Sequence, residues 1–241
     1  MSLHDLAASD VSPASPSDAP AALGDGDRFL YVDADDPRAR PLLDDLEREY
    51  DERYGLDFGG PASEEIHRYP VDAFRRPQGA FVLLLRDGEP IAGGAFKRFD
   101  ESTSELKRIW TAASHRRQGL ARLVVAELEA QSRRSGYTTV YLTTGPRQPE
   151  AQRLYTVTGY TPLYDVTLTA EQVGVHGFAK SLTADPLEVP AIRAKHEREL
   201  ARFFASLPQG SIARGTPDPA PATPAAPAPA GPEDTATGVA R

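Results

Sequence analysis

A mixed β-sheet with helices on both faces is the fold class this sequence predicts, and three observations predict it. Two apolar runs flank Asp87-Gly88, a strong signal for a tight hairpin turn. Strand-like and helix-like segments then alternate, so a β-α-β unit follows the hairpins. The chain has 241 residues, enough for one ordinary domain plus tails.

The elements follow in order. Phe29 to Asp33 reads as a first strand. Asp36 and Pro37 make an N-cap and first-turn pair for a helix that continues through Leu42, Leu43, Leu46, Tyr50 and Tyr54, with Gly55 ending it. Ser63 to Tyr69 is a short helix. Ala80 to Leu85 and Pro90 to Phe99 are the two hairpin strands, and Glu105 to Thr111 (ELKRIWT) is the next strand. A helix at 119–135 puts Leu120, Leu123, Val124 and Leu128 on one face. Strand 138–143, helix 149–157 and strands 161–168 and 175–182 complete the domain, 28–183. Leu187 to Leu207 is one more amphipathic helix, with Ile192, His196, Leu200, Phe203, Phe204 and Leu207 on its apolar side. That side has to be buried on the domain or on a second copy, which would make a homodimer. Residues 1–27 and the Pro/Ala-rich 208–241 lack apolar periodicity and read as disordered tails.

Composition narrows the function classes. The net charge of −8 argues against nucleic acid and anionic membrane as partners. No run reaches the ~18 apolar residues of a membrane span and no signal-peptide pattern opens the chain, so a cytoplasmic location is expected. With no cysteine, disulfides, thiolate metal sites and cysteine nucleophiles fall away. His67, His176 and His196 are spaced too irregularly for a metal cluster, so no metal is expected. Basic residues lean to Arg and Asn is absent, a composition that fits a GC-rich bacterial genome.

The most informative stretch is the strand-to-helix junction Arg116-Arg117-Gln118-Gly119-Leu120-Ala121. Glycine at a helix start lets a ligand come close to the backbone, and the unpaired first-turn N–H groups favour an anion. Neither GxxxxGK[ST] nor GxGxxG occurs here, which argues against ATP and dinucleotides.

Arg116-x-x-Gly119-x-Ala121 resembles the R/Q-x-x-G-x-G/A acyl-CoA signature of the GNAT superfamily of N-acyltransferases, and the resemblance runs from about Phe29 to Leu182. ELKRIWT resembles the strand beside the pantetheine arm. Thr143 to Leu163 (TTGPRQPEAQRLYTVTGYTPL) resembles the strand, helix and strand on the arm's other side, and Gly177 to Leu182 (GFAKSL) the closing strand.

The resemblance implies a mostly antiparallel sheet of mixed type, acetyl-CoA as co-substrate, and acetyl transfer to a primary amine of a small molecule or peptide. Arg116, Arg117, Gln118, Gly119, Leu120 and Ala121 would hold the pyrophosphate. The backbone of Ile109, Trp110 and Thr111 would meet pantetheine and the thioester carbonyl, which requires a bulge or splay in the sheet. Glu105, eleven positions before Arg116, would be the general base; otherwise it is a strand carboxylate paired with Lys107 or Arg108. Tyr155 would be the acid that protonates the thiolate and a cofactor contact. Gln148 stands where the family pattern often has Asn, and would contact pantetheine.

Tyr50, Tyr54 and Phe74, with Tyr69 and Arg75-Arg76, fall in the least patterned region, Tyr50 to Phe81, and would line the acceptor pocket; each taken alone also reads as packing or solvated surface. Trp110 can stack on a ligand or sit in the core, and His115 reads as a loop residue facing solvent or phosphate. A non-catalytic acyl-CoA sensor and an interaction module on the same fold are the rival functions.

Overall fold

The computed structural model describes residues 22–57, 60–61 and 63–207. The tail readings for 1–21 and 208–241 lie outside the described residues. Seven strands form one sheet in the order β1-β2-β3-β4-β5-β7-β6. They are β1 (Asp27–Val32), β2 (Ala80–Arg86), β3 (Glu89–Arg98), β4 (Thr103–Thr111), β5 (Thr139–Thr144), β6 (Thr161–Pro162) and β7 (His176–Ser181). Every neighbouring pair is antiparallel except β4 with β5. The helix crossing between that parallel pair is α3 (Leu120–Arg134).

Helices cover both faces. Helix α1 (Arg40–Tyr54) and the single turn α2 (Glu64–His67) lie on one side. There Leu42, Leu46 and Ile66 pack with Phe74, Phe81, Leu83 and Trp110. Helix α3 lies on the other, where Leu120, Val124, Val125 and Leu128 pack with Val82, Leu84, Phe96 and Leu106.

The glycine pair on β3 shows how closely the two helices approach. A Cβ on Gly93 would come within 2.7 Å of Leu42 Cδ1 in α1, and one on Gly94 within 3.1 Å of Leu128 Cδ1 in α3. Side chains there would push the helices off the sheet.

Two elements differ from the sequence expectation. The strand expected at 161–168 is cut to Thr161–Pro162, because Asp165 Oδ1 accepts from both the backbone N and Oγ1 of Thr167. That local turn takes backbone groups out of the ladder. It leads into the single turn α5 (Ala170–Val173), which a Thr169/Gln172 capping box starts. At the other end of the domain, Asp36 caps a 3-10 turn, Pro37–Ala39, and α1 begins after it.

Helix α4 (Pro149–Val157) follows β5. Helix α6 (Val189–Ser206) buries Ile192 and His196 on its own domain and leaves Leu200, Phe203 and Phe204 half-buried. Ile192 joins Tyr141, Leu163 and Ala179 in a third cluster, and Lys195 pairs with Asp100 at 2.5 Å.

Candidate active site

The site is made by a sheet that comes apart. Strands β4 and β5 pair only at Thr103 with Thr139, Ser104 with Val140 and Glu105 with Tyr141. Both strands then continue without pairing, so the edge of β4 from Leu106 to Thr111 has no strand partner on the β5 side among the described residues. The opposite edge of β4 is held by β3, with a register shift between Gly93 and Ala95. The extra residue at that bulge is accommodated with Arg108 at φ 59°, a left-handed conformation that a side chain tolerates only at a cost. Between the diverging strands lies an open cleft of about 1820 Å³.

At one end of the cleft the backbone forms an anion cradle. Arg117 (φ 64°) and Gly119 (φ 78°) are both left-handed, and no side chain caps the start of α3. Among the described residues the N–H groups of Gly119, Leu120 and Ala121 have no backbone acceptor, at the positive end of the helix dipole, while the Arg122 N–H donates to the Gly119 carbonyl at 3.0 Å.

The side chains of this segment contribute unevenly. Arg117 is exposed beside the cradle. Arg116 is tied across the cleft to Glu49 of α1 at 3.0 Å, and Gln118 accepts from Arg86 at 3.0 Å, so Gln118 offers the cleft mainly its backbone. Leu120 is a core side chain that can meet a ligand only through its N–H.

Along the splayed edge, the Ile109 side chain packs toward α3. Trp110 is buried against α1, donating from Nε1 to Asp45 at 3.1 Å, so it does not stack on a ligand. The Thr111 Oγ1 is buried and has no hydrogen-bond partner among the described residues. An orphaned hydroxyl on this edge fits a polar, extended ligand arm lying along it.

Across the cleft, Gln148 accepts from the Thr144 hydroxyl at 2.8 Å and from the Gly145 N–H at 3.1 Å. It thereby fixes the turn between β5 and α4. Tyr155, on α4, is 5 % exposed and lines the cleft, and its hydroxyl has no hydrogen-bond partner among the described residues. Burial, helped slightly by Tyr50, raises its phenol well above the ordinary range and keeps it protonated.

At the other end Glu105, 5 % exposed, is gripped by two ammonium groups, Lys97 at 2.6 Å and Lys107 at 3.1 Å. Burial by itself would raise the Glu105 carboxyl, but Lys107 and Lys97 outweigh it and hold it below the usual carboxylate range. Lys107 also reaches Glu65 at 3.3 Å. The alternative pairing of Glu105 with Lys107 is thus present, together with a second cation from β3, while Arg108 is not its partner.

Of the pocket residues expected from sequence, Tyr50, Tyr54 and Tyr69 line the cleft, with Tyr50 and Tyr54 edge to face at 6.3 Å. Phe74 is a correction. It is 1 % exposed, packs edge to face under Tyr69 and beneath the Arg108 guanidinium, and does not reach the cleft. Arg75 and Arg76 also lie elsewhere: Arg75 pairs with Asp33 at 3.0 Å, and Arg76 sits over Tyr31.

Sequence reasoning missed Lys97, Arg108 and the α6 side chains Glu199, Leu200 and Phe203, which also line the cleft. Strand register would have found Lys97, since it sits opposite Glu105. No local signal marks Arg108.

The model of the acetyltransferase (GNAT) family matches residues 40–160, half of the chain. The chain belongs to that family. It is 32% identical over 100 residues to the uncharacterised N-acetyltransferase YsnE of Bacillus subtilis (strain 168), a match covering 40% of this chain and 66% of that relative, just short of two thirds of its length. Two solved structures share the fold. An acetyltransferase from Streptococcus agalactiae superposes with a TM-score of 0.51 at 18% identity, over 65% of this chain and 98% of that one. A provisionally named acyl-CoA N-acyltransferase from Klebsiella pneumoniae gives 0.50 at 23% identity, with the same coverage. Helix α6 falls outside the family match, so part of the cleft lining comes from a segment the family model does not cover. Among the described residues no group of acids and histidines could hold a metal ion, and no helix is long and apolar enough to cross a membrane.

Proposed function

We propose that this protein transfers an acetyl group from acetyl-CoA to a primary amine of a small molecule or peptide, by direct attack in a ternary complex. The observation that carries the reading is the splay of β4 from β5 leading into an uncapped, glycine-started helix. Together they offer an unpaired polar edge for a pantetheine arm and an anion cradle for a pyrophosphate. When bound, acetyl-CoA would supply an activated acyl thioester.

The residues divide the remaining work. Backbone N–H groups near Ile109 and Trp110 would stabilise the developing oxyanion. A lysine-like amine is neutral in roughly one molecule in two thousand at pH 7, so attack gains from a proton acceptor. Glu105 stays ionised under its two lysines. It is therefore available as an acceptor across the neutral range, though weakened as a base, and a water between it and the amine would complete the path. Tyr155, kept protonated, would donate to the departing thiolate. Its raised affinity for the proton favours a hydrogen bond over full transfer until the thiolate is desolvated beside it.

A non-catalytic acyl-CoA sensor draws support from the same lysine clamp, which lowers the basicity of Glu105. An amine panel read by CoA release, followed by mass spectrometry of the product, separates the two. Acetyl-CoA binding without release for any amine would remove the transferase reading.

A further inference from the structure

Arg108 is the odd residue of the acceptor end. The bulge turns two consecutive β4 side chains, Lys107 and Arg108, to the α2 side of the sheet, while Ile109 packs on the α3 side. Other charges nearby are engaged. Glu105 is held by Lys97 and Lys107, Glu65 by Lys107 and by Arg68 at 3.2 Å, and Glu199 by Arg202 at 2.6 Å. Glu64 stands at the exposed rim.

Arg108 has no carboxylate within ion-pair distance among the described residues. Its guanidinium lies 4.2 Å from the centre of the Phe74 ring, and Nη2 donates to the Ile66 carbonyl. The guanidinium rests over the ring and the carbonyl uses one of five N–H donors, so the rest remain for a ligand in a half-buried wall of the cleft.

We infer that the acceptor is a small amino-carboxylic acid whose carboxylate is gripped by Arg108 at the β4 bulge. A planar fork with spare donors and no directly paired carboxylate, Glu65 acting on it only from a distance, matches a ligand carboxylate in two-point contact, and a charged group of that kind offsets the desolvation of the guanidinium. Arg108 directly precedes Ile109, where the acyl carbonyl is expected, so an amine and a carboxylate held there would be close enough to belong to one small molecule.

This inference rests on the acyl-transfer reading for the amine but not for the carboxylate, and the test separates them. Matched acceptors would be compared in CoA release: an amino acid, its amide and the corresponding amine lacking the carboxyl group. The carboxylate form is expected to have kcat/KM on the order of tenfold to hundredfold above the amide. Arg108→Met should bring that ratio close to one, and Arg108→Lys should leave it in between, because charge persists without the fork. Calorimetry of the same compounds on CoA-saturated protein, wild type and Arg108→Met, supplies a readout that needs no turnover, and thermal unfolding and CoA affinity check that the variants fold. Equal preference for carboxylate and amide, or a preference that survives Arg108→Met, overturns the inference. So does the absence of binding by any carboxylate. Arg108-dependent carboxylate binding without CoA release for any amine would instead overturn the transferase reading and leave the carboxylate site standing.

Discussion

Replacing Gly177 with alanine should loosen α6 and disturb the acceptor end of the cleft while sparing the CoA end. Gly177 lies on β7 directly under His196. A Cβ there would meet His196 Cε1 and Nε2 at 2.7 Å and Nδ1 at 2.8 Å, well inside contact distance. The imidazole cannot swing aside freely, because it is 3 % exposed and its Nδ1 is 2.8 Å from the Tyr141 hydroxyl. Burial lowers its pKa to about 4, so it is neutral at pH 7 and the cost is steric.

Overpacking of this kind costs about 1–3 kcal/mol, and loss of the Tyr141–His196 hydrogen bond adds roughly 0.5–1.5 kcal/mol if the helix lifts. A destabilisation of about 2–4 kcal/mol is therefore expected in urea unfolding, as a lower midpoint at constant slope. Since Glu199, Leu200 and Phe203 of α6 line the acceptor end, the acceptor KM should rise while acetyl-CoA affinity changes little. Pairing Gly177→Ala with His196→Ala should relieve the clash, so the double variant should be more stable than the two single costs imply by at least ~1 kcal/mol. A single variant within ~0.5 kcal/mol of wild type, or strictly additive costs, would refute the reasoning.

Three further outcomes are expected. Gly119→Glu should abolish measurable CoA binding by calorimetry, because it puts a carboxylate in an anion cradle at a left-handed position; unchanged affinity would move the pyrophosphate site elsewhere. Tyr155→Phe should lower kcat by about ten- to a hundredfold with little change in acetyl-CoA affinity, measured where chemistry is rate-limiting, and an unchanged kcat would reassign the ring to packing. Glu105→Gln should depress the acidic limb of the pH–rate profile most, where free amine is scarcest. It should also destabilise the fold by about 3–5 kcal/mol at pH 7 by leaving Lys97 without its carboxylate and Lys107 with Glu65 alone. The carboxyl is held below its unfolded value, so its contribution is present above pH ~4.3 and lost as pH falls through the lowered folded value; the gap to wild type should close below pH ~4. A profile superimposable on wild type removes Glu105 from the mechanism.

Much of the fold was legible because its signals are local. Asp87-Gly88 dictates a tight turn, and the spacing of Leu120, Val124 and Leu128 dictates which face of α3 is buried. The failures have local causes too. The expected strand at 161–168 lost to the Asp165 side chain, which satisfies the backbone at Thr167. Phe74 looked like an aromatic wall because its segment has no periodicity to show burial; the fold put Arg108 on top of it.

By itself the sequence determined that a glycine stands where a strand gives way to a helix, that no cysteine can act, and that an apolar stripe at 187–207 needs a partner. Each follows from residue type and spacing along a few turns of chain. Only the tertiary structure decided that β4 parts from β5 after Glu105, since an absent hydrogen-bond partner leaves no trace in the strand that lacks it. Register alone brought Lys97 across to Glu105, and a bulge one residue long turned Arg108 to the same side as Lys107. Whether Glu105 is a free carboxylate or a clamped one, and which cation is left for a ligand, depends on Coulomb interactions between residues far apart in the chain. Those distances exist only once the chain has folded.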